Sequence, residues 1–416
     1  MAQKISPLSG IRVLDFTRII SGPFCTMLLS DLGAEVIKVE KPKIGDESRM
    51  FRPPHVNGES CYFISFNRNK KSVVIDISKP EGKALIRQLA MKSDILVENF
   101  MPTTMPKLGL GYDQLKLIAP HLIYCSISGY GSKGPWSNRG GFDVVAAALG
   151  GLLNITGPID GEPVKPGIAA TDLMTAFYAH GAIMAALLHR DKTGKGQRID
   201  CSLLSTQIAT LTNIGSGYLN TGKEPQKWGT DHETVVPYRG FRTKDDRWLV
   251  IGAANNKLWS QFCELIEMQH LIDIPEYKTN VDRVTNRKQL TKILQDRFLE
   301  KTLEEWNAIF EPTTMAFGPV NNMHDAFNHP QVTFNNMVQT VEHPTAGTLR
   351  MTAPAVKFTE SRNEIRSSPP MLGEHTTEIL REILAIDEER LADLRKKDVI
   401  DVAETPEESQ MKSMKV

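Results

Sequence analysis

GIRVLDFTRIISGPFCTMLLSDLGAEVIKVE, residues 10–40, decides the fold. Its two ends, GIRVLDF and AEVIKVE, are short β-branched runs, and PFCTMLLSDLG between them has a helical pattern. Strand, helix and strand at this spacing predict a right-handed crossover between parallel neighbours. The unit repeats outward: SVVIDI (72–77), a helix in EGKALIRQLAMKS (81–93), then DILVENF (94–100) and HLIYCSISGYG (121–131). The fold class expected is α/β, with a Rossmann-like parallel sheet. Ligands bind at the carboxyl ends of such strands. Those ends are residues 15–22, 40–46, 98–102 and 128–134, where Gly, Pro and polar residues concentrate.

Farther along, KTGKGQRIDCSL (192–203) predicts a polar turn into another strand, followed by a helix around residues 204–218. The pattern then changes. PYRGFRTKDDRWLVI (237–251) alternates like a hairpin turning at residues 244–246, and helices follow in KLWSQFCELIEM, NRKQLTKILQDRFLE and LEEWNAIF. The organisation expected is a large domain over residues 1–220, a smaller α+β domain over 221–330, and a return to the large domain over 331–402. A last amphipathic helix near residues 376–384 and a polar, disordered tail over 403–416 complete it.

The chain has 416 residues, 41% of them hydrophobic, enough for a large core and too many for one ordinary domain. Forty-nine basic and forty-nine acidic residues cancel, so no overall field steers it to nucleic acid or an anionic membrane. Five well-separated cysteines, without CxxC or Cys/His spacing, read as reduced core residues, and no metal site is expected. No apolar run is expected to span a bilayer, because the longest is broken by histidines. MAQKISPLSG lacks an apolar signal core, so a soluble cytosolic protein is expected unless a targeting segment precedes this chain.

Between Lys165 and Arg190 the only carboxylate is Asp172, set in the run GIAATDLMTAFYAHGAIMAALLH. Either it or Thr171 caps a helix beginning at Leu173, or burial raises its pKa and makes its anion a nucleophile. Basic residues gather on the proposed rim: Arg18, Lys38, Lys41, Arg68, Lys70, Lys71 and Lys107. Beside strand-end amides they suit a phosphorylated nucleotide or no ligand at all. GxGxxG after the first strand, GxxxxGK[ST], GxSxG and HExxH are all absent.

Long motifs now carry a resemblance: residues 8–42, FNRNKKSVVID, VENF, GLGY, ISGYG, TDLMTAFYAHGAIMAALLHR, KTGKGQRIDCSL, FGPVNNM and PPMLGEHT. From about Leu8 to about Asp401 the chain resembles the class III CoA-transferases, the family of formyl-CoA transferase and carnitine CoA-transferase. The resemblance implies that Asp172 attacks an acyl-CoA thioester to give an aspartyl-acyl anhydride, which an incoming acid resolves. CoA would move from succinyl-CoA to a dicarboxylic acid such as glutarate or 3-hydroxymethylglutarate. The CoA thioester is then a substrate, with no permanently bound cofactor.

Carried over by position, the CoA site would use Arg18, Ile20, Ser21, Lys41, Ile75, Asn99, Phe100 and Lys107. Asp143 aligns beside the nucleophile, as a catalytic helper or a carboxylate bonded to a loop. Arg139 and His232 are candidate partners for the substrate carboxylates. The formate enzyme has arginine at the positions of Lys41 and Lys107 and glutamine at Ile20, which speaks against formate or oxalate here. That enzyme's glycine-rich GGGGQ loop has GAANN, residues 252–256, as its nearest counterpart. The resemblance also implies an interlocked homodimer and a mitochondrial location. Two other functions remain open: a 2-methylacyl-CoA racemase, whose family pattern GHD stands here as GFD with Phe142 unable to carry a proton, and a non-catalytic CoA-binding protein.

Overall fold

The structure, a computed structural model, describes residues 5–403. Two compact units divide the chain: a larger one formed by residues up to 152, 166–216 and 331 onward, and a smaller one formed by 153–165 and 217–330. The short stretch 153–165, expected in the large domain, therefore packs with the smaller unit. The polar tail expected over residues 403–416 lies, apart from Ala403, outside the described residues.

The larger unit is built on seven strands: β1 (Arg12–Asp15), β2 (Glu35–Glu40), β3 (Lys70–Ile75), β4 (Ile95–Glu98), β5 (Ile123–Ser128), β6 (Arg198–Ser202) and, at the edge, β9 (Ile400–Asp401). A separate hairpin, β7 (Val338–His343) and β8 (Gly347–Thr352), precedes β9 in sequence. The sheet order is β9-β3-β2-β1-β4-β5-β6, parallel throughout except that β9 pairs antiparallel with β3. Order reverses at β1, between β2 and β4, so the crevice above β1 and β4 is the switch point where such sheets take ligands.

Both faces of the central strands are covered, which is why β1, β4 and β5 read as largely apolar runs. On one face Leu14, Ile37, Val73, Leu96 and Tyr124 pack against α2 (Pro80–Met91), α6 (Thr376–Leu384) and α7 (Glu388–Lys396). On the other Val13, Val36, Ile95, Cys125 and Ile127 meet α1 (Ser21–Asp31) and α4 (Ala170–Thr193). Two short helices at the site, α3 (Asp143–Leu149) and α5 (Leu203–Ala209), complete the elements used below.

Helix α4 is long and apolar enough by length and composition to cross a bilayer, contrary to the expectation above. Its stripe of Ala176, Ala179, Ile183, Ala186 and Leu187 is buried against the sheet, which accounts for much of that apolarity. Gly194, left-handed at φ 71°, ends it by donating its N–H to the Arg190 carbonyl at 2.7 Å. The helix expected over 204–218 breaks in two, α5 and Thr212–Thr221, with Thr212 at φ 47°. Helix α7 and strand β9 follow the helix expected to be last.

The smaller unit holds an antiparallel sheet of Tyr238–Arg242, Trp248–Gly252 and Ala316–Pro319. Helices Asn256–Leu265, Arg287–Phe298 and Leu303–Phe310 bury an aromatic core against it, with Phe241 stacked on Phe298 at 4.5 Å. Thr302 and Glu305 form a capping box at the start of the last helix.

Candidate active site

Helix α4 begins at Ala170, three residues earlier than expected, and neither Thr171 nor Asp172 caps it. The Thr171 hydroxyl is buried and donates to Gln207 Oε1 at 2.7 Å. Asp172 lies in the first turn, half-buried, with its backbone N–H donating to Asp143 Oδ1 at 3.0 Å. Helix α3 supplies Asp143 from its own first residue, so two acids meet where two helices start. Burial pushes the Asp172 pKa up first, the Asp143 charge adds to the rise, and a hydrogen bond with the Ser21 hydroxyl opposes both; the carboxyl titrates at about 7. A half-buried carboxylate with few hydrogen-bond partners is a better nucleophile than a solvated one.

The Asp172 side chain lines a cavity of about 270 Å³ at the switch point. Its walls come from Arg18–Ser21 after β1, Asn99–Pro102 after β4, Ser128 and Gly129 at the end of β5, and Arg139–Phe142. Close backbone contact shapes two of these walls. An added Cβ at Gly129 would lie 2.7 Å from Gly141 Cα, so the ISGYG and GGFD motifs touch backbone to backbone. At the start of α1, a Cβ on Gly22 would lie 2.3 Å from Thr17 Cβ.

A second cavity of about 170 Å³ adjoins it, lined by Phe16, Val39, Lys41, Ile75 and Ile77, and shares Arg18 and Phe100 with the first. Between them the Arg18 guanidinium lies 4.6 Å from the centre of the Phe100 ring. One acidic residue not anticipated from sequence, Glu47, binds Arg18 at 2.8 Å and Lys41 at 3.3 Å. A long ligand with an apolar arm and a charged end suits two joined cavities whose cations are held in place.

The structure therefore gathers Arg18, Ile20, Ser21, Asn99, Phe100, Arg139 and Asp172 around one cavity, with Asp143 bonded to the Asp172 N–H, and Lys41 and Ile75 around its neighbour. Exposed Arg139 packs over Trp136 at 4.2 Å. Lys107 is exposed at the end of the short helix Thr104–Lys107 and lines neither cavity. His232 belongs to the smaller unit, stacked on Tyr238 at 5.2 Å, with its Nδ1 accepting the Thr234 N–H. The GAANN stretch is a strand end and helix start in that unit, where Asn255 accepts the Leu258 N–H at 2.9 Å.

Several basic residues expected on the rim are instead internal. Lys38 binds Asp46 at 2.9 Å, Lys70 binds Asp15 at 3.1 Å and Arg68 binds Asp31 at 2.6 Å, all of them buried. Lys71 is taken by Glu35 and Glu378. None of these four lines either cavity, whereas Arg18 and Lys41, which share Glu47, do. Glu98, buried at the end of β4, accepts the Phe100 N–H at 2.9 Å and is pushed up to about 7 by burial. It too was not anticipated, since a glutamate at a strand end reads as solvated.

Known proteins are similar to this chain in sequence and in fold. Succinyl-CoA:glutarate CoA-transferase of Homo sapiens is 49% identical over 401 residues, covering 96% of this chain and 91% of that protein. Succinate–glutarate CoA-transferase of Agrobacterium fabrum is 34% identical, covering 93% and 98%. The crystal structure of a CaiB/BaiF family protein from Brucella suis superposes with a TM-score of 0.83 at 34% identity, covering 92% of this chain and 100% of that one. Residues 8–376 match the profile of CoA-transferase family III, and the chain belongs to that family.

Proposed function

We propose that this CoA-transferase moves CoA from succinyl-CoA to a dicarboxylic acid such as glutarate or 3-hydroxymethylglutarate, through an anhydride on Asp172. The observation that carries the reading is a carboxylate of raised pKa facing a cavity with cationic residues on its walls. An Asp172 oxygen attacks the thioester carbonyl; the C–O bond forms, the C–S bond breaks and CoA leaves as thiolate. The thiolate attacks the aspartyl carbonyl of the anhydride, giving an aspartyl thioester and free succinate. Attack by the acceptor carboxylate and return of the thiolate to the acceptor's carbonyl then yield the new acyl-CoA and regenerate Asp172. Each step exchanges one acyl bond for another, so the thioester energy is kept as long as water is excluded.

Arg18 and Arg139 supply positive charge to the substrate carboxylates at the cavity, while Lys41, beside Ile75, meets the nucleotide end of CoA. Asp143 keeps Asp172 in place through its backbone N–H and keeps its pKa high by charge. A role for His232 against the acceptor, and one for Lys107 at the phosphates, rest on the resemblance alone. So do a mitochondrial location and the interlocking of two chains; a homodimer has the added support of exposed Phe177, Tyr178 and Leu188 on α4. Phe142, which lines the cavity where a racemase needs a histidine, cannot exchange a proton and sets that alternative aside.

The test is a panel of acids with succinyl-CoA. Glutarate and related dicarboxylates are expected to accept CoA and formate and oxalate to stay at background. The Asp172→Asn protein is expected to lose at least about a thousandfold in kcat. Transfer by Asp172→Asn at the wild-type rate ends the proposal.

A further inference from the structure

Ile19 is left-handed, at φ 73°, although it is β-branched and such residues reach this region only under constraint. Each backbone polar group leading to it is held by a side chain. Thr17 N–H donates to Asp15 at 2.8 Å, and the Thr17 carbonyl accepts from Lys38 Nζ at 2.7 Å. Asn99 takes the Arg18 N–H at 2.9 Å and returns a hydrogen bond to the Arg18 carbonyl at 2.8 Å. Asp46 Oδ1 accepts the Ile19 N–H at 3.0 Å, together with the Ser48 N–H and hydroxyl at 2.9 and 2.8 Å, while its Oδ2 binds Lys38 at 2.9 Å. Lys38 and Asp46 are fully buried. Nothing in the transfer chemistry uses them, and a buried ion pair is weak support for stability as such.

We propose that the buried Lys38–Asp46 pair is a positioning device for the reaction, which locks Ile19 left-handed and so sets the stretch from Arg18 to Ser21 against Asp172. The pair fixes the chain leading into the strained residue at two points: Lys38 holds the Thr17 carbonyl, two residues before it, and Asp46 holds its N–H. The next residues, Ile20 and Ser21, line the cavity, and the Ser21 hydroxyl bonds Asp172 itself. Release of Ile19 to a negative φ swings this wall and uncouples Ser21 from the nucleophile. The inference rests on the reading of Asp172 as the nucleophile.

Asp46→Asn is the incisive change. Its amide offers one acceptor oxygen where the native residue meets donors on both, so the NH2 group faces either Lys38 or the Ile19 N–H. Steady-state kinetics with succinyl-CoA and glutarate should show kcat lowered by about tenfold to a hundredfold, the rate equivalent of the strain released. In an Ile19→Gly background the same D46N change should cost no more than about threefold, because glycine holds a positive φ without constraint. The same factor in both backgrounds, or an unchanged kcat in D46N, overturns the inference. Thermal melts check that each protein is folded; if D46N is not, Ser48→Ala, which removes one hydrogen bond from Asp46 and keeps its charge, takes its place in the same comparison. Acyl labelling of Asp172 in the wild-type protein tests the nucleophile separately: a labelled Asp172 without coupling of residues 19 and 46 sinks this inference alone.

Discussion

A carboxyl group that titrates at about 7 is only partly ionised at neutral pH, and that condition links activity to stability at Asp172. The folded-state pKa lies above the unfolded value of 3.8, so the native state holds an extra proton between them, and stability falls as pH rises from about 4 through about 7. Asp172→Asn should therefore be more stable than wild type at pH 8, by about 1–2 kcal/mol after discounting for partial exposure, with the gain vanishing near pH 4. Calorimetry across that range checks it; a less stable variant at pH 8 contradicts it. Asp143→Asn removes the second cause of the rise and keeps an acceptor for the Asp172 N–H. The acid limb of kcat/KM should then move to lower pH, and an unmoved limb rules out charge coupling between the two acids.

At the scale of elements, the cavity exists because glycine lets loops approach closely. Gly129→Ala places a Cβ 2.7 Å from Gly141 Cα, so the strand-end loop must move away from Asp172. A loss of at least about tenfold in kcat/KM, with a smaller loss in thermal stability, is the expected outcome, because positioning is more sensitive to displacement than packing is. Equal activity in the alanine variant contradicts this origin of the wall. Strands were legible in the sequence wherever both faces are covered, as in RVLD and EVIKVE. Lys38 and Lys70 were not: a lysine in a strand gives no local sign that a carboxylate 8 or 55 residues away accompanies it inside, as Asp46 and Asp15 do here. Helix α7 and strand β9 escaped because EERLADLRK is mostly charged and carries only a thin apolar stripe, with Leu391 and Leu394 buried. The start of α4 was misplaced because Ala170 has no capping side chain before it.

For the whole molecule, zero net charge gives no long-range attraction for polyanionic CoA, so binding should depend on ionic strength only through local cations such as Lys41. A homodimer gives the exposed aromatic and aliphatic side chains of α4 a place against a second copy. Sedimentation should find a particle of twice the 46.4 kDa chain mass, and F177D/L188D should sediment at the mass of one chain. A wild-type protein that stays monomeric at micromolar concentration contradicts it. The parallel α/β character of the larger unit was readable from periodicity, whereas its strand order was not, and the segment 153–165 gave no sign that it packs with the smaller unit. Long motifs located most of the cavity-lining residues; Lys107 and His232 came from the resemblance alone, Lys107 lining neither cavity of the larger unit and His232 belonging to the smaller one.

The most direct measurement is mass spectrometry of the protein quenched with hydroxylamine during turnover of succinyl-CoA. Acyl transfer through Asp172 predicts a hydroxamate on the peptide containing that residue, dependent on succinyl-CoA and absent from Asp172→Asn. An unmodified Asp172 peptide from enzyme that is visibly turning over contradicts the covalent account.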